Sequence, residues 1–387
     1  MQRPRVLHLC SWYPNRVHPY NGNFIEKHLR AAAGVSEVFA LQVEEDPQLA
    51  LGAVAVVDFE EAGIRGRIVY FRARWNNPFW RQLTKQRLYL RFARPLMPRI
   101  DAIHVHVMFP ALAAGHSLAR RWGKPLVVSE HSWAFLPGSP HAYPRWLEWL
   151  LARWANRAGA VCPVSEALAR QLRIIGVKTR MVVIPNGVDE RYFHPATAPP
   201  KLPFRWLHLS NFDPLAKNPA GILQAFAQLH ADTVLVMAGD GDAPARSGLS
   251  DLATVLGLNN RVVFCGPLKE EEVGDLMRQC HALVLFSNWE TQSVVALEAQ
   301  CCGLPVAATA LPALKEVIDT PALGLLTPPG DENALTAAMN SLMEAYDCFD
   351  AAKIAARGQE RYGQTAIARQ FHHLYHSLMA EGGNQAR

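Results

Sequence analysis

No run of apolar residues in this chain approaches the roughly 18 that a membrane-crossing helix requires. No Cys-x-x-Cys pair occurs among the seven cysteines, Cys10, Cys162, Cys265, Cys280, Cys301, Cys302 and Cys348. They sit mostly in apolar stretches and read as buried thiols of a reducing compartment, which excludes a disulfide framework. Cys301 and Cys302 are adjacent and cannot both ligate one ordinary zinc ion. No signal peptide is apparent, because Met1 to Arg5 lead straight into the strand-like Val6–Cys10. No internal repeat is found. A complete dinucleotide fingerprint is missing too: Gly239-Asp-Gly-Asp-Ala-Pro244 follows a strand, but Pro244 stands where the third glycine belongs. That argues against a nicotinamide oxidoreductase. Between Arg65 and Arg99 there is no acidic residue at all, against ten Lys or Arg.

What is present is an ordinary globular balance over 387 residues, half of them apolar and 19% charged, with a formal net charge of +5. That length suits two domains. In the first half, apolar runs (Val6–Cys10, Val38–Gln42, Ile68–Phe71, Ala102–Val107, Leu126–Ser129, Ala160–Val164, Val182–Ile184) alternate with helical stretches (Phe24–Ala33, Phe79–Met97, Ala111–Trp122, Trp146–Arg157, Glu166–Ile175). Such alternation predicts a parallel sheet with helices on both faces. Pro195 to Pro203 holds four prolines in nine residues and is the expected linker, dividing a domain 1–195 from a domain 196–387 whose last helix is free to pack back on the first. After it the alternation restarts with Trp206–Ser210, Thr233–Met237, Val262–Cys265, Ala282–Phe286 and Pro305–Ala308 as strands. The expected fold is therefore α/β, with two doubly wound domains facing across a cleft, and with ligands at the carboxyl ends of the strands. The tail beyond Met379 is polar and is expected to fray.

The most informative segment is Asn288 to Val306. It follows the strand-like Ala282–Phe286, offers Thr291 and Ser293 as helix caps, and ends at Gly303 and Pro305. Glu290 falls in the strand-to-helix turn and Glu298 within the helix, at most about 12 Å apart along its axis. The free N–H groups at the helix start form an anion site between two carboxylates. A nucleotide-sugar needs such an arrangement: acceptors for sugar hydroxyls, a diphosphate cradle, and an acceptor for ribose hydroxyls. Taken by residues alone, Glu290 reads equally well as a solvated loop residue, and Glu298 as the partner of an arginine.

These residues carry a resemblance. Glu290 and Glu298, with Ala299 and Gly303-Leu-Pro-Val306, match the E-x7-E element of the retaining glycosyltransferases of family 4, and Val183 to Pro195 is similar to that family's domain junction. The resemblance runs from about Val6 to Leu378. It implies two Rossmann-like domains in the GT-B arrangement, with a nucleoside-diphosphate sugar on the C-terminal domain, the acceptor on the N-terminal one, and no obligatory metal or other cofactor. It implies a hexosyltransferase acting on a glycan or lipid-linked acceptor in surface polysaccharide or glycolipid assembly. By the same resemblance, Gly22 and Asn23 in the loop after the first strand lie near the donor phosphates and acceptor. His131, in Ser129-Glu-His-Ser132, contacts the transferred sugar, and Lys217 grips the diphosphate. Glu290 receives the sugar hydroxyls and Glu298 the ribose, while Thr291, Gln292, Ser293, Val294 and Val295 line the phosphate cradle.

The chain departs from the pattern in three places. The arginine usual before the lysine is absent, and Leu209-Ser-Asn-Phe212 stands there, so that Asn211 or Ser210 is left to meet a phosphate oxygen without charge. The Gly-Phe-Gly after the first glutamate is Thr291-Gln-Ser293, and the Gly-Gly before Glu316 is missing. Two readings compete with the transferase: a GT-B-like phosphorylase or epimerase, and a glycan- or nucleotide-binding subunit without turnover. Asp240 and Asp242 suggest a loop lip rather than a metal site, and His104 and His106 read as core histidines on one strand face. The basic, aromatic-rich region 65–99, with Arg81, Lys85, Arg91 and Arg94 on one expected helix, suits an anionic bilayer surface. It brings no nucleic-acid module with it. The expected location is cytoplasmic, peripheral on the inner membrane face, and Trp146, Trp149 and Trp154 are candidates to assist docking.

Overall fold

The computed structural model describes residues 3–198 and 200–385, so Met1, Gln2, Pro199, Ala386 and Arg387 lie outside the described residues. The chain forms two compact units, 1–187 with 364–387, and 188–363. The first contains, in order, β1 (Arg5–Cys10), α1 (Asn23–Ala33), β2 (Glu37–Glu45), β3 (Val54–Glu61), β4 (Ile64–Phe71), α2 (Pro78–Ala93), β5 (Ala102–His106), α3 (Met108–Trp122), β6 (Leu126–Glu130), α4 (Arg145–Ala155), β7 (Ala160–Pro163) and α5 (Glu166–Ile174). Its sheet order is β3-β4-β2-β1-β5-β6-β7, parallel throughout except for the β3–β4 pair. Alternate residues of the central strands face opposite layers, as strand geometry requires. Leu7, Leu9, Ile103 and Val105 pack with α2, α3 and α4. Val6, Cys10 and Ala102 pack on the other side with α1 and the chain's last helix, Gln364–Gln385.

The second unit runs β8 (Phe204–Leu209), α6 (Pro214–Lys217), α7 (Pro219–Ala227), β9 (Thr233–Ala238), α8 (Ala243–Val255), β10 (Val262–Cys265), α9 (Glu270–Arg278), β11 (Ala282–Leu285), α10 (Val294–Cys301), β12 (Val306–Thr309), α11 (Pro312–Val317), β13 (Gly324–Thr327), α12 (Glu332–Glu344) and α13 (Ala351–Tyr362). Its six strands are all parallel, in the order β10-β9-β8-β11-β12-β13. Trp206, Met237, Val284 and Ala307 meet α7, α8 and α12 on one face. Leu207, Leu283, Leu285 and Val306 meet α9, α10, α11 and α13 on the other. The chain then returns to the first unit as α14 (Gln364–Gln385).

Several expectations need correcting. The change of unit falls at Gly187–Val188, ahead of the proline-rich segment. Val188 donates its N–H to the Tyr362 carbonyl at 2.8 Å and Phe193 is buried in the second core, so the chain is anchored there before Pro195. Residues 195–203 are an irregular lead-in to β8, with Pro199 outside the described residues. Val182–Ile184 forms no strand; a single bridge joins Met181 to Val161. The helix expected over Phe79–Met97 stops at Ala93, and the terminal helix continues to Gln385 where fraying was expected. Strand β3 was not foreseen, because its two-residue turn to β4 is Ala62-Gly63, both at positive φ (49° and 78°). Asn-Gly or Asp-Gly is the usual signal for that turn, and alanine hides it.

Gly239 pins the carboxyl edge of the second sheet. Its φ is 150°, and an added Cβ would fall on the Ser210 carbonyl. Gly239→Ala is expected to destabilise the second unit by about 3 kcal/mol, from backbone strain and overpacking together. Chemical denaturation of the variant checks this, and an unchanged midpoint would mean that the Ser210 loop is free to move aside.

Candidate functional site

Strand order determines where each sheet can hold a ligand. In the second unit the order reverses between β8 and β11, and the crevice outside such a reversal is the expected ligand position of an open parallel sheet. Lys217 arrives there on the short α6 after β8, and Glu290 in the turn after β11. The Lys217 ammonium donates to Glu290 Oε1 at 2.6 Å, and the Ser287 hydroxyl donates to the same oxygen at 3.0 Å. Asp213 caps α6 by accepting from Leu215 and Ala216. Asn288 donates its backbone N–H to the Ala216 carbonyl (2.8 Å) and its side-chain amide to the Leu215 carbonyl (2.7 Å). The lysine-bearing turn is therefore tied to the glutamate-bearing turn by four atoms besides the ion pair. Glu290 is buried and Lys217 half-buried, so each neutralises a charge that would otherwise be costly there.

Glu290 and Gln292 to Ser293 lead into α10, whose first intrahelical bonds run from Ala296 and Leu297 to the Ser293 carbonyl. The N–H groups of Val294 and Val295 precede that ladder, at the positive end of the helix. Thr291, Val294 and Val295 are half-buried, and Gln292 and Ser293 are buried. Glu298 lies in the second turn of α10, 4% exposed. Asn211 is exposed, with its Oδ1 accepting the Asp213 N–H at 3.3 Å. The neighbouring Ser210 is held by His208, whose other nitrogen meets the Val284 carbonyl at 3.0 Å. Asp242 caps α8 through Ala245 at 2.8 Å, a structural use for the Asp240–Asp242 pair. Arg246 and Lys269, which could have replaced the missing arginine, are both exposed, on α8 and at the start of α9.

The first unit has its own reversal, between β1 and β5. Gly22 caps α1 with φ 80°, and an added Cβ would come within 2.7 Å of the Trp12 carbonyl carbon and the Tyr13 nitrogen. Asn23 beside it is exposed. His131 follows β6, under the Phe24 ring at 4.8 Å, with Nδ1 3.0 Å from Asn186 Oδ1. The loop is set by Glu130, whose carboxylate accepts from the backbone N–H of His131 (2.7 Å), Ser132 (2.7 Å) and Met108 (2.8 Å), the last at the start of α3. Burial pushes the Glu130 carboxyl up to about 7 against these three donors. Glu130 is thus a positioning residue. Asn186 and Glu130 in this role were missed because their partners are distant in sequence or on the backbone.

Behind His131 lies a buried stripe of imidazoles: His8 on β1, His104 and His106 on β5, and His28 on α1. Burial and mutual repulsion hold them neutral, with His8 lowered to about 3, His28 to about 4, and His104, His106 and His131 well below their ordinary value. In the unfolded chain these groups titrate near 6.5. Below that pH the unfolded state binds more protons, so their contribution is full above 6.5 and is lost as pH falls toward the folded values. Glu130 has the opposite sign between its ordinary value and about 7, but it is one group against five. Calorimetry at pH 7 and pH 5 is expected to show the first unit's melting temperature lower by about 10 °C or more at pH 5. A flat profile would mean that the native imidazoles take up protons freely.

Comparison with known proteins accords with this geometry. Residues 27–192 match the family described as Glycosyltransferase Family 4, and residues 193–361 match Glycosyl transferases group 1. Among curated proteins, N-acetyl-alpha-D-glucosaminyl L-malate synthase of Bacillus anthracis is 24% identical over 302 residues, 74% of this chain and 77% of that protein. Among solved structures, sucrose-phosphate synthase of Thermosynechococcus elongatus superposes with a TM-score of 0.79 at 22% identity, covering 97% of this chain and all of that one. HepE of Anabaena in complex with UDP-glucose superposes at 0.74 and 20% identity, covering 96% and 99%. The phosphorylase, epimerase and non-catalytic readings are not favoured by these relatives. With two adjoining family matches over 27–361 and the fold shared along nearly the whole chain, the protein belongs to the family 4 glycosyltransferases and is an enzyme of the GT-B class.

Proposed function

We propose that the protein is a retaining hexosyltransferase that moves a sugar from a nucleoside-diphosphate donor to a glycan or lipid-linked acceptor. The observation that carries this is the Lys217–Glu290 pair at the β8–β11 reversal, with the α10 N-terminus and Glu298 behind it. Without ligand, the ammonium and the carboxylate satisfy each other. A donor diphosphate takes the ammonium and the Val294 and Val295 N–H groups, and Glu290 is then free to accept sugar hydroxyls. Asn211, Thr291, Gln292 and Ser293 complete the cradle, and Glu298 accepts the ribose hydroxyls. On the first unit, Gly22 and Asn23 serve the phosphates and acceptor, and the neutral His131 imidazole, held by Asn186, meets the positive charge that develops on the transferred sugar. The leaving diphosphate is neutralised by a lysine and helix-end dipoles, so the transfer needs no metal. HepE holds UDP-glucose, which puts UDP first among the nucleotides to test.

A thermal-shift titration with UDP, GDP, ADP, TDP, CMP and NAD, with and without Mg²⁺, tests this reading. The expected result is a metal-independent rise with one nucleoside diphosphate, about 2.7 kcal/mol at 100 times the dissociation constant. Glu298→Ala is expected to cost about 1.5–3 kcal/mol of that affinity while leaving the fold intact. No shift with any nucleotide, or a shift with NAD alone, would overturn the reading.

A place at the inner membrane surface in polysaccharide or glycolipid assembly belongs to the same proposal. Among the described residues, no helix is long and apolar enough to cross a membrane. Support comes from Trp75, Phe79 and Trp80 around the start of α2, and from Trp146 and Trp149 on α4, all exposed. The basic residues contribute less than the sequence suggests, because Arg67 pairs with Asp58, Arg81 with Glu45 and Lys85 with Glu44. Trp75→Ser/Phe79→Ser/Trp80→Ser is therefore expected to weaken binding to anionic liposomes more than Arg81→Gln/Lys85→Gln does. The reverse order in a flotation assay would return the role to the charges.

A further inference from the structure

Three of the buried imidazoles meet in a way that neither core packing nor sugar transfer explains. One ring nitrogen from each of His28, His106 and His131 lies within 4.8 Å of the other two. One nitrogen of each ring has a hydrogen-bond partner: His28 Nε2 donates to the Pro185 carbonyl at 2.8 Å, His131 Nδ1 faces Asn186 Oδ1 at 3.0 Å, and His106 Nε2 meets His8 Nδ1 at 2.9 Å. The first contact fixes the proton on the engaged nitrogen of His28 and leaves the lone pair on the other. In His106 the same holds when its Nε2–H donates to His8. The Nδ1 atoms of His28 and His106 are buried with no hydrogen-bond partner among the described residues. Leaving such atoms unsatisfied in a buried place is costly.

We propose that His28, His106 and His131 are the ligands of a divalent transition-metal site of the Zn²⁺ class. Neutral imidazoles suit zinc and its neighbours, whereas Mg²⁺ and Ca²⁺ require oxygen donors. The nearby Glu130 carboxylate is occupied by three backbone N–H groups. Zinc–nitrogen bonds of about 2.0–2.1 Å draw the three nitrogens closer than 4.8 Å, a change within reach of ring rotation. The ligands come from α1, β5 and the loop after β6, three elements packed on one sheet, and each has the outer-shell contact that orients metal-bound histidine. The alternative triad of His8, His104 and His106 is weaker, because both His104 nitrogens are engaged, by Tyr375 and Ser129 at 2.8 Å. A metal here occupies His131, so on the transferase reading above it inhibits transfer; the binding itself does not depend on that reading.

The test uses the full chain carrying His372→Gln and His376→Gln, since these rings on α14 stand 4.3 Å apart and form a second chelating pair. Zn²⁺ is titrated against a chromophoric chelator, and Co²⁺ is followed by its visible spectrum. The expected result is one equivalent bound, tetrahedral Co²⁺ bands without a thiolate charge-transfer band, and a melting temperature raised by Zn²⁺. His28→Gln is expected to weaken binding by about 100-fold or more, and the outer-shell variant Asn186→Ala, which leaves all three ligands in place, by about 10–100-fold. No stoichiometric binding to the parent chain, a thiolate spectrum, or affinity unchanged in Asn186→Ala would overturn the site. Inhibition by Zn²⁺ is scored separately, so a chain that binds the metal and transfers no sugar fails the functional reading alone.

Discussion

A parallel sheet returns every connection across one of its faces, and the side on which consecutive connections pass decides where the surface opens. In both units the order reverses once, between β1 and β5 and between β8 and β11. Helices on either side of a reversal diverge, and the loops leaving the neighbouring strands cannot be covered. Apart from Glu298, one turn into α10, the residues proposed for sugar transfer lie on loops or short helices that leave the carboxyl edges of the sheets. Gly22 follows β1, His131 follows β6, Lys217 follows β8, and Glu290 follows β11. The chemistry is local to these four exits, while the strands behind them are among the most buried segments of the chain.

What fixes those exits is polar rather than apolar. In the second unit, Asn288 binds two carbonyls of the turn that carries Lys217, and Lys217 binds Glu290 in turn. In the first, one buried carboxylate, Glu130, gathers three N–H groups from two chain segments and so sets the backbone on which His131 stands. A hydrogen-bonded charge in a buried place is costly to move, because any displacement leaves it uncompensated. That cost gives the loops the stiffness a site needs without adding to the hydrophobic core.

The parts legible in sequence are the ones whose information is local. The alternation of apolar runs gave two doubly wound domains, and the spacing of Glu290 and Glu298 placed one before α10 and the other inside it. Lys217 and His131 were named by the family resemblance alone, and the structure places the first on α6 after β8 and the second just after β6. What escaped was long-range. Asn186 is 55 residues from His131 in the chain, and the role of Glu130 is hidden because its partners are backbone groups. The boundary was placed at the prolines because composition marks irregularity and not attachment; the buried Phe193 already belongs to the second core. Strand β3 was hidden by a turn with alanine at positive φ.

The reading of His104 and His106 as core histidines holds, since both are fully buried on one strand face, and the physics adds a cost to it. On β1 and β5, His8, His104 and His106 occupy inward positions of the same face as Val6, Cys10 and Ala102. Aliphatic side chains there would pack with α1 and α14 and leave no polar atom unsatisfied. The imidazoles instead bring desolvation, mutual repulsion if protonated, and nitrogens without partners. Two of them are accounted for: His104 bridges Tyr375 of the terminal helix to Ser129, and His131 is held by Asn186 at the loop exit. Stacking of rings as close as 4.1 Å recovers some packing energy, but isosteric apolar rings would recover it as well. The stripe is core by burial and extends up to the loop carrying His131, and the metal site proposed above gives its cost a use, since lone pairs that cost energy when empty become ligands when a metal enters.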